Sequence, residues 1–155
     1  MKQALTSSLL LAVIIAAGAL QGCSTMNSGQ ADQMAAAKPA VKKYRIVFHV
    51  TEDNPQKWNI VLNNVDNVQK DLGRENTVIE IVTHGPGINM LKSESKVTPR
   101  LAAALDHNIA LLACENTMRN GKVTKADMYG GIGFVPSGVT HIVERESEGW
   151  HYLRP

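Results

Sequence analysis

A chain of 155 residues has the length of about one domain, and 44% apolar and 19% charged residues are typical of a globular protein. Sixteen lysines and arginines against fourteen acidic residues give a formal net charge of +2, and no basic run is longer than Lys42-Lys43. This balance gives no reason to expect a nucleic-acid partner. Two cysteines are too few for a disulfide-rich scaffold, and six prolines and twelve glycines are too few for a collagenous or low-complexity chain.

The N-terminus has the features of a targeting segment. A positive residue, Lys2, precedes an uninterrupted run of apolar and small residues, Leu9–Leu20. As a helix this run would rise roughly 18 Å, well short of a hydrocarbon core of ~30 Å. A secretory signal has this length and these flanks, so we predict that residues 1–22 are a signal peptide.

The end of this segment, Leu20-Gln21-Gly22-Cys23, resembles the bacterial lipobox. The resemblance implies cleavage before Cys23, a diacylglycerol thioether on its sulfur and a further acyl chain on its amine, which is more than stable anchoring requires. Ser24 favours, by the same resemblance, the outer membrane. We therefore expect a lipid-anchored protein on the periplasmic side; the alternative is an ordinary signal peptide with an incidental cysteine.

The rest of the chain divides at Tyr44, where a β-rich segment starts abruptly. Residues 23–43 show no long periodic apolar face, so we predict a lipidated cysteine followed by a flexible tether. Residues 44–155 are predicted to form one folded domain. At about 110 residues it can bury a single core without disulfides or metals.

Five segments of this domain have the composition of strands: they are rich in β-branched and aromatic residues or apolar throughout. They are Tyr44–Val50, Thr77–Val82, Ile109–Ala113, Val139–Val143 and Trp150–Leu153. Glu80, inside the second segment, favours an edge position or a subunit contact over a buried central position.

The helices are predicted from caps and from the spacing of apolar residues. Asn54-Pro55 is typical of an N-cap followed by proline at the first helical position, and Gly73 ends the helix that begins there. Thr98-Pro99 repeats this start for the helix Arg100–His107, with Asn108 in the turn that follows. Two short helices are predicted at Asn116–Asn120 and Thr124–Tyr129.

Strands that alternate with helices indicate right-handed βαβ crossovers. We therefore predict an α/β fold, a flavodoxin-like three-layer α/β/α sandwich with a mostly parallel five-stranded sheet. The simplest strand order is 2-1-3-4-5. The fifth strand could instead be an antiparallel edge, because a short linker joins it to the fourth.

Cys114 is the only free thiol once Cys23 is lipidated, and it lies between the third strand and a helix that begins at Glu115. In the order 2-1-3 this is the switch point at which open α/β sheets bind ligands. A helix N-terminus lowers the pKa of a thiol and so favours the nucleophilic thiolate. Glu52, Asp53 and Glu115 would raise that pKa if they lay close. A reactive cysteine and a buried cysteine that packs as a small hydrophobe both remain open.

His84, which follows the second strand, is the candidate base. If strand one lay between strands two and three, His84 and Cys114 would start roughly 10 Å apart, so a partner of Cys114 and a positioned loop residue are both open. The turn Gly85-Pro86-Gly87 would bring backbone amides to the same crevice. The other histidines show no metal-ligand spacing, and we assign them no role. They are His49, His107, His141 and His151.

The common phosphate and hydrolase motifs are missing. Pro136 stands where a G-x-G-x-x-G motif beginning at Gly131 would need its last glycine, and neither G-x-x-x-x-G-K-[ST] nor G-x-S-x-G occurs. We expect no cofactor and no metal.

Four short segments together resemble the DsrE/DsrF-like sulfur-relay family. The most specific is Cys114-Glu115-Asn116-Thr117-Met118 after an apolar strand; the others are Thr83–Ile88, Ser137–Val139 and Gly149–Tyr152. The resemblance implies a flavodoxin-like fold without flavin that assembles as trimers or hexamers. It further implies that Cys114 carries a persulfide between sulfur donor and acceptor proteins. The residues expected to shape its pocket are His84, Gly85, Gly87, Asn116 and Thr117.

Two functions follow. The first is a periplasm-facing, membrane-anchored sulfur carrier that holds sulfane sulfur as a persulfide on Cys114, with its classification as a sulfurtransferase left open. The second is a non-catalytic oligomeric lipoprotein of the same fold that binds a ligand or a partner. The family's sulfur relays are cytoplasmic, whereas the lipobox would place this chain outside the inner membrane, so the chemistry and the pathway need not transfer together.

Overall fold

Strands and helices alternate along the part of the chain that the computed structural model describes, residues 43–155. The predicted signal peptide, Cys23 and nearly all of the tether lie outside these residues. The strands are Tyr44–Val50 (β1), Thr77–Thr83 (β2), Ala110–Cys114 (β3), Gly133–Val135 (β4) and His151–Leu153 (β5). The α-helices are Pro55–Leu72 (α1), Thr98–Asp106 (α2), Glu115–Asn120 (α3) and Gly138–Ser147 (α4). Short 3₁₀ helices are formed by Arg74–Asn76, Gly85–Leu91 and Lys125–Asp127.

The five strands form one sheet in the order β4-β3-β2-β1-β5, and all neighbouring strands are parallel. The predicted α/β class and parallel sheet are confirmed. The predicted order 2-1-3-4-5 is wrong, since β2 lies between β1 and β3. β5 is an edge strand and runs parallel to β1, so the antiparallel alternative is wrong.

The strand order follows from the faces on which the helices pack. A right-handed crossover moves the chain in one direction across the sheet when its helix lies on a given face. α1 and α2 contribute to the same buried core, α1 through Trp58 and Val65 and α2 through Leu101, so β1, β2 and β3 lie in chain order. α4 packs on the opposite face and returns the chain to the free edge of β1.

The two faces of the sheet are covered unequally. The larger core, with Phe48 and Ile81 fully buried, lies under α1, α2 and the 3₁₀ helix Gly85–Leu91. The smaller core on the other face joins Val47 and Val82 to Ile142 of α4. None of the helices in residues 43–155 is long and apolar enough to cross a membrane.

The predicted fourth strand, Val139–Val143, is wrong because these residues lie in α4. Val139 and Val143 are about half exposed, at 57% and 56%, whereas Ile142 is 5% exposed. This is the one-sided burial of a helix, and the Ser137 side chain caps its start by accepting from the Thr140 N–H. The β-branched composition suggested a strand, but the cap and the burial pattern define a helix. The fourth strand of the sheet is instead Gly133–Val135.

The local signals for helix boundaries agree better with the structure. The Asn54 side chain accepts hydrogen bonds from the N–H groups of Gln56 and Lys57 at the start of α1, and Gly73 follows its end with a φ of +85°. Asn108 after α2 has a φ of +58°. α2 begins at Thr98 rather than Arg100, and Val97 precedes it without a side-chain cap.

Glu80 is buried in the central strand, contrary to the predicted edge or subunit contact. Its side chain receives Arg145 Nε at 3.1 and 3.0 Å and faces His141 Nε2 at 2.6 Å. The positive guanidinium on α4 compensates the buried carboxylate, which makes a central position tolerable. Sequence spacing alone did not reveal that Arg145 and His141 would face Glu80.

Candidate functional site

Cys114 is the last residue of β3, at the carboxyl edge of the sheet, and it is only 5% exposed. Its Sγ accepts a hydrogen bond from the backbone N–H of Gly138 at 3.2 Å. Gly138 is the first residue of α4, so an otherwise unpaired N–H at the start of this helix points at the sulfur. An anionic sulfur is stabilised at such a position.

The pKa of the Cys114 thiol lies below its ordinary value. Burial raises this pKa. Hydrogen bonds from the backbone of Gly138, from the backbone and side chain of Thr117 and from the backbone of Asn116 lower it, and together they outweigh the effect of burial. Glu115 pairs instead with Lys125 at 3.1 Å, and Glu52 pairs with Lys57 at 2.9 Å. Neither carboxylate is among the groups that shift the pKa of Cys114, so the like-charge repulsion expected from the sequence does not act on this thiol.

His84 is close to Cys114, and the estimate of two strand spacings was wrong. β2 and β3 are neighbours, so the residues that follow them emerge side by side. A Cβ placed on Gly138 would lie 3.3 Å from the Cβ atoms of both Cys114 and His84. Gly138 therefore fits between the two side chains. Within residues 43–155 no hydrogen bond joins His84 directly to the sulfur.

The predicted pocket residues surround the same edge of the sheet. Gly85 donates its N–H to Thr117 Oγ1 at 3.0 Å, which ties the turn after β2 to α3. Gly87 donates to the Thr51 carbonyl at 3.0 Å and packs directly against the backbone of Val50, where a side chain would collide. The Asn116 N–H donates to the Pro136 carbonyl at 3.2 Å.

An open cavity of about 460 Å³ borders this turn, with Gly85 and Thr117 in its wall. Its polar lining includes Asn89, Lys92 and Asn120, but Cys114 does not line it. The cavity therefore provides space beside the thiol site rather than direct access to the sulfur. No group of three or more His, Cys, Asp or Glu side chains that could hold a metal occurs among the described residues.

Two further side chains belong to the site and were not singled out from the sequence. His84 Nε2 lies 2.5 Å from His49 Nε2, and His49 Nδ1 lies 2.7 Å from the Tyr152 hydroxyl. His49 is the second-last residue of β1, and Tyr152 is in β5. The position of His49 near the carboxyl end of β1 was visible in the sequence. The predicted strand order, however, put β5 at the far edge of the sheet from β1 and so hid the contact between His49 and Tyr152.

Both imidazoles of this pair favour the neutral form. Burial, His84 and Arg154 lower the pKa of His49 to about 4, against a smaller opposing effect of Glu52. Burial and Arg154 also lower the pKa of His84. At neutral pH each ring therefore carries one proton, and one nitrogen of each ring can accept a hydrogen bond.

Residues 43–155 thus form a small domain with a parallel α/β sheet, and they contain one cysteine. This cysteine is buried at the carboxyl edge of the sheet, where it accepts a hydrogen bond from a helix N-terminus and lies beside a neutral histidine. The chain belongs to the DsrE/DsrF-like family, whose model matches residues 42–155. Membership of this family suggests sulfur relay in general. No curated protein matches the chain.

Solved structures support the family and the fold. The chain is 36% identical to a protein of unknown function, MTH1491, from Methanobacterium thermoautotrophicum, with a TM-score of 0.70 over 73% of this chain and 100% of that chain. The conserved protein of unknown function BT1422 from Bacteroides thetaiotaomicron shares the fold at 18% identity and a TM-score of 0.60, over 80% of this chain and 100% of that one. The ychN protein of E. coli does so at 9% identity and a TM-score of 0.58, over 74% and 99%.

Proposed function

We propose that this chain is a membrane-anchored sulfur carrier on the periplasmic side that holds sulfane sulfur as a persulfide on Cys114. The observation that supports it best is the hydrogen bond from the Gly138 N–H to Sγ at the start of α4. A donor fixed in the backbone favours the thiolate, the nucleophilic form of cysteine. Family membership supports sulfur as the group that this nucleophile carries.

The transfer needs no cofactor in this proposal. The Cys114 thiolate attacks the terminal sulfur of a donor persulfide, a new S–S bond forms on Cys114, and the S–S bond of the donor breaks. The electron pair leaves with the donor's remaining sulfur, which takes up a proton and becomes a thiol. The reverse attack by an acceptor thiolate on the outer sulfur of the Cys114 persulfide passes the sulfur on.

Intact mass tests this proposal. The full chain carrying Cys23→Ser, in which Cys114 is the only thiol, is incubated with inorganic polysulfide with and without a reductant, beside the same chain with Cys114→Ala. A reducible gain of whole sulfur atoms on the parent alone is the expected result. An adduct that forms only after denaturation would contradict the carrier function.

The burial of Cys114, at 5% exposure, favours a second function: a non-catalytic lipoprotein whose site binds a ligand or a partner. If this binding function is correct, Cys114→Ala should leave partner binding and oligomeric mass unchanged.

We further propose that the chain forms a homo-oligomer, which the half-exposed Val139 and Val143 on α4 support. Sedimentation of the parent measures its oligomeric state, and a monomeric parent would contradict the proposed homo-oligomer.

The membrane anchor is proposed from the lipobox-like segment that ends at Cys23. Cells that express the full chain are fed an alkyne-tagged fatty acid, and the protein is recovered and tested for the tag. We expect label on the parent and none on Cys23→Ser, with the parent in the outer-membrane fraction. An unlabelled parent would contradict the lipid anchor and would leave the sulfur chemistry proposed for Cys114 standing.

A further inference from the structure

A row of hydrogen-bonded side chains leads from the Cys114 site to the edge of the sheet. We call His84, His49 and Tyr152 the histidine relay. The His84 and His49 rings lie 4.5 Å apart between centroids and are joined by the 2.5 Å contact of their Nε2 atoms. The other nitrogen of His49 contacts the Tyr152 hydroxyl at 2.7 Å. Tyr152 is 38% exposed, so the relay ends at solvent.

The register of the strands places the relay and the thiol on one face of the sheet. Tyr152 lies beside Val47, two residues before His49 in β1. His49 lies beside Val82, and Val82 lies beside Leu112. His84 follows Val82 by two residues, and Cys114 follows Leu112 by two, so alternation directs both toward the face that α4 covers.

The charged groups around the relay oppose a positive imidazole. Arg154, which follows β5, faces both histidines and donates hydrogen bonds to Thr51 and Glu52. Glu52 favours a positive His49, but its effect is smaller than those of burial, His84 and Arg154. The relay is therefore suited to pass a proton along rather than to store one as a stable imidazolium.

Two neutral arrangements satisfy these contacts. In the first, His84 Nε2–H donates to His49 Nε2, His49 Nδ1–H donates to the Tyr152 oxygen, and His84 Nδ1 is free to accept a proton. In the second, the Tyr152 O–H donates to His49 Nδ1, His49 Nε2–H donates to His84 Nε2, and His84 Nδ1 carries a proton. The first arrangement becomes the second when one proton enters at His84 Nδ1, the protons between the three side chains each move one step toward Tyr152, and one proton leaves from the Tyr152 hydroxyl to water.

We infer that His49 is a positioning residue for sulfur transfer at Cys114: it fixes the orientation and the tautomer of His84, and Tyr152 does the same for His49. The inference rests on the function proposed for Cys114. His84 and Cys114 both contact the space beside Gly138, and catalytic hydrogen bonds often tighten only when substrate is bound. A nucleophile, its base and a group that orients the base form the usual constellation of nucleophilic catalysis.

In the transfer step, the Cys114 thiol first gives its proton to His84 Nδ1, and the thiolate that this leaves attacks the outer sulfur of the donor persulfide. The His84 Nε2 proton moves to His49, the His49 Nδ1 proton moves to Tyr152, and the Tyr152 O–H proton leaves to water. The donor's leaving thiolate takes a proton from water, so a thiol and a persulfide exchange one sulfur atom with no external oxidant.

The rate of sulfur uptake from inorganic polysulfide, measured from pH 5 to 9 by rapid quench and intact mass, tests the inference. All proteins are the full chain with Cys23→Ser, and the variants are His84→Gln, His49→Gln and Tyr152→Phe. His151→Gln is the matched control, because His151 is an exposed histidine next to Tyr152 in the same strand and lies outside the relay.

We expect His84→Gln and His49→Gln to lower the rate at pH 7 by at least about tenfold, since general acid–base groups typically contribute 10²–10⁴-fold. Tyr152→Phe, which removes only an exposed hydroxyl and should leave the fold intact, is expected to lower it by a smaller factor and to change the pH profile. His151→Gln should stay within about twofold of the parent. Ring ¹⁵N NMR should show a changed tautomer of His84 in His49→Gln and Tyr152→Phe.

The outcomes separate the two ideas. A parent that takes up sulfur, with His49→Gln and Tyr152→Phe matching it in rate, pH profile and His84 tautomer, would overturn the positioning role and leave the carrier function standing. A parent that takes up no sulfur would overturn both. Lower rates with a parent-like pH profile and an unchanged His84 tautomer would show general damage to the fold and also count against the relay.

Discussion

Replacing Gly138 by alanine should perturb the packing and the electrostatics of the thiol site at the same time. The new Cβ would lie 3.3 Å from the Cβ atoms of Cys114 and His84 and 3.4 Å from Cγ1 of Val82. These atoms belong to β2, β3 or the residue that directly follows β2, so the sheet holds them in place. The backbone at the start of α4 must therefore move instead.

The magnitude follows from two opposing effects. Overpacking of a well-filled site costs about 1–3 kcal/mol, whereas alanine is better than glycine in a helix by up to ~1 kcal/mol. We expect Gly138→Ala to lower the free energy of unfolding by about 1 kcal/mol, or the melting temperature by roughly 4–8 °C. Displacement of the residue 138 N–H also lengthens its 3.2 Å bond to Sγ, so the pKa of Cys114 should rise.

Urea unfolding measures the first effect, and the rate of thiol alkylation against pH measures the second. Gly130→Ala is the matched control, because no atom lies within 4 Å of the Cβ that it would add. Cys23→Ser is present in every protein. If Gly138→Ala were as stable as Gly130→Ala and its alkylation profile coincided with that of the parent, the close packing of α4 against the thiol would be refuted.

Two further predictions concern the buried ion pair of Glu80 with Arg145 and the neutral imidazole of His49. Glu80→Gln should lower the free energy of unfolding, measured in urea, by about 2 kcal/mol, because Arg145 loses its buried partner. Glu146→Gln, at an exposed position of the same helix, is the control and should change it by less than about 0.5 kcal/mol. Equal losses in the two variants would contradict a stabilising role of the Glu80–Arg145 ion pair. The pKa of His49 is lowered to about 4, so between pH 6.5 and 4 the unfolded chain binds a proton that the folded protein does not, and stability should fall as the pH decreases through this window. His49→Gln should lose less stability over the same window in urea titrations, and a slope equal to that of the parent would disagree with a buried neutral imidazole.

Local sequence signals predicted those parts of the fold that depend on neighbouring residues. Asn54 caps α1 through its own side chain, and Asn108 adopts the positive φ expected after a helix, because both roles are decided within a few residues. Cys114 and His84 were found because strand ends in parallel sheets are where side chains converge.

Features that depend on distant residues were missed. The valines of α4 suggested a strand, since β-branched composition says nothing about the Ser137 cap or about which of its residues meets the sheet. Glu80 looked misplaced in a central strand because its compensating partner, Arg145, lies 65 residues further along the chain. Neither error could be corrected without knowing which face α4 covers.

The strand order connects the fold to the proposed chemistry. Cys114, His84, His49 and Tyr152 come from or directly follow β3, β2, β1 and β5, which is the order of these strands across the sheet. In the order 2-1-3, β1 would separate the residue after β2 from the end of β3, and His49 would stand between His84 and the thiol. The observed order instead puts the base beside the thiol and the orienting residues behind the base. This strand order follows because α1 and α2 pack on one face of the sheet and α4 packs on the other. The helix packing that forms the two cores therefore also arranges Cys114, His84, His49 and Tyr152 in a row from the buried sulfur to solvent.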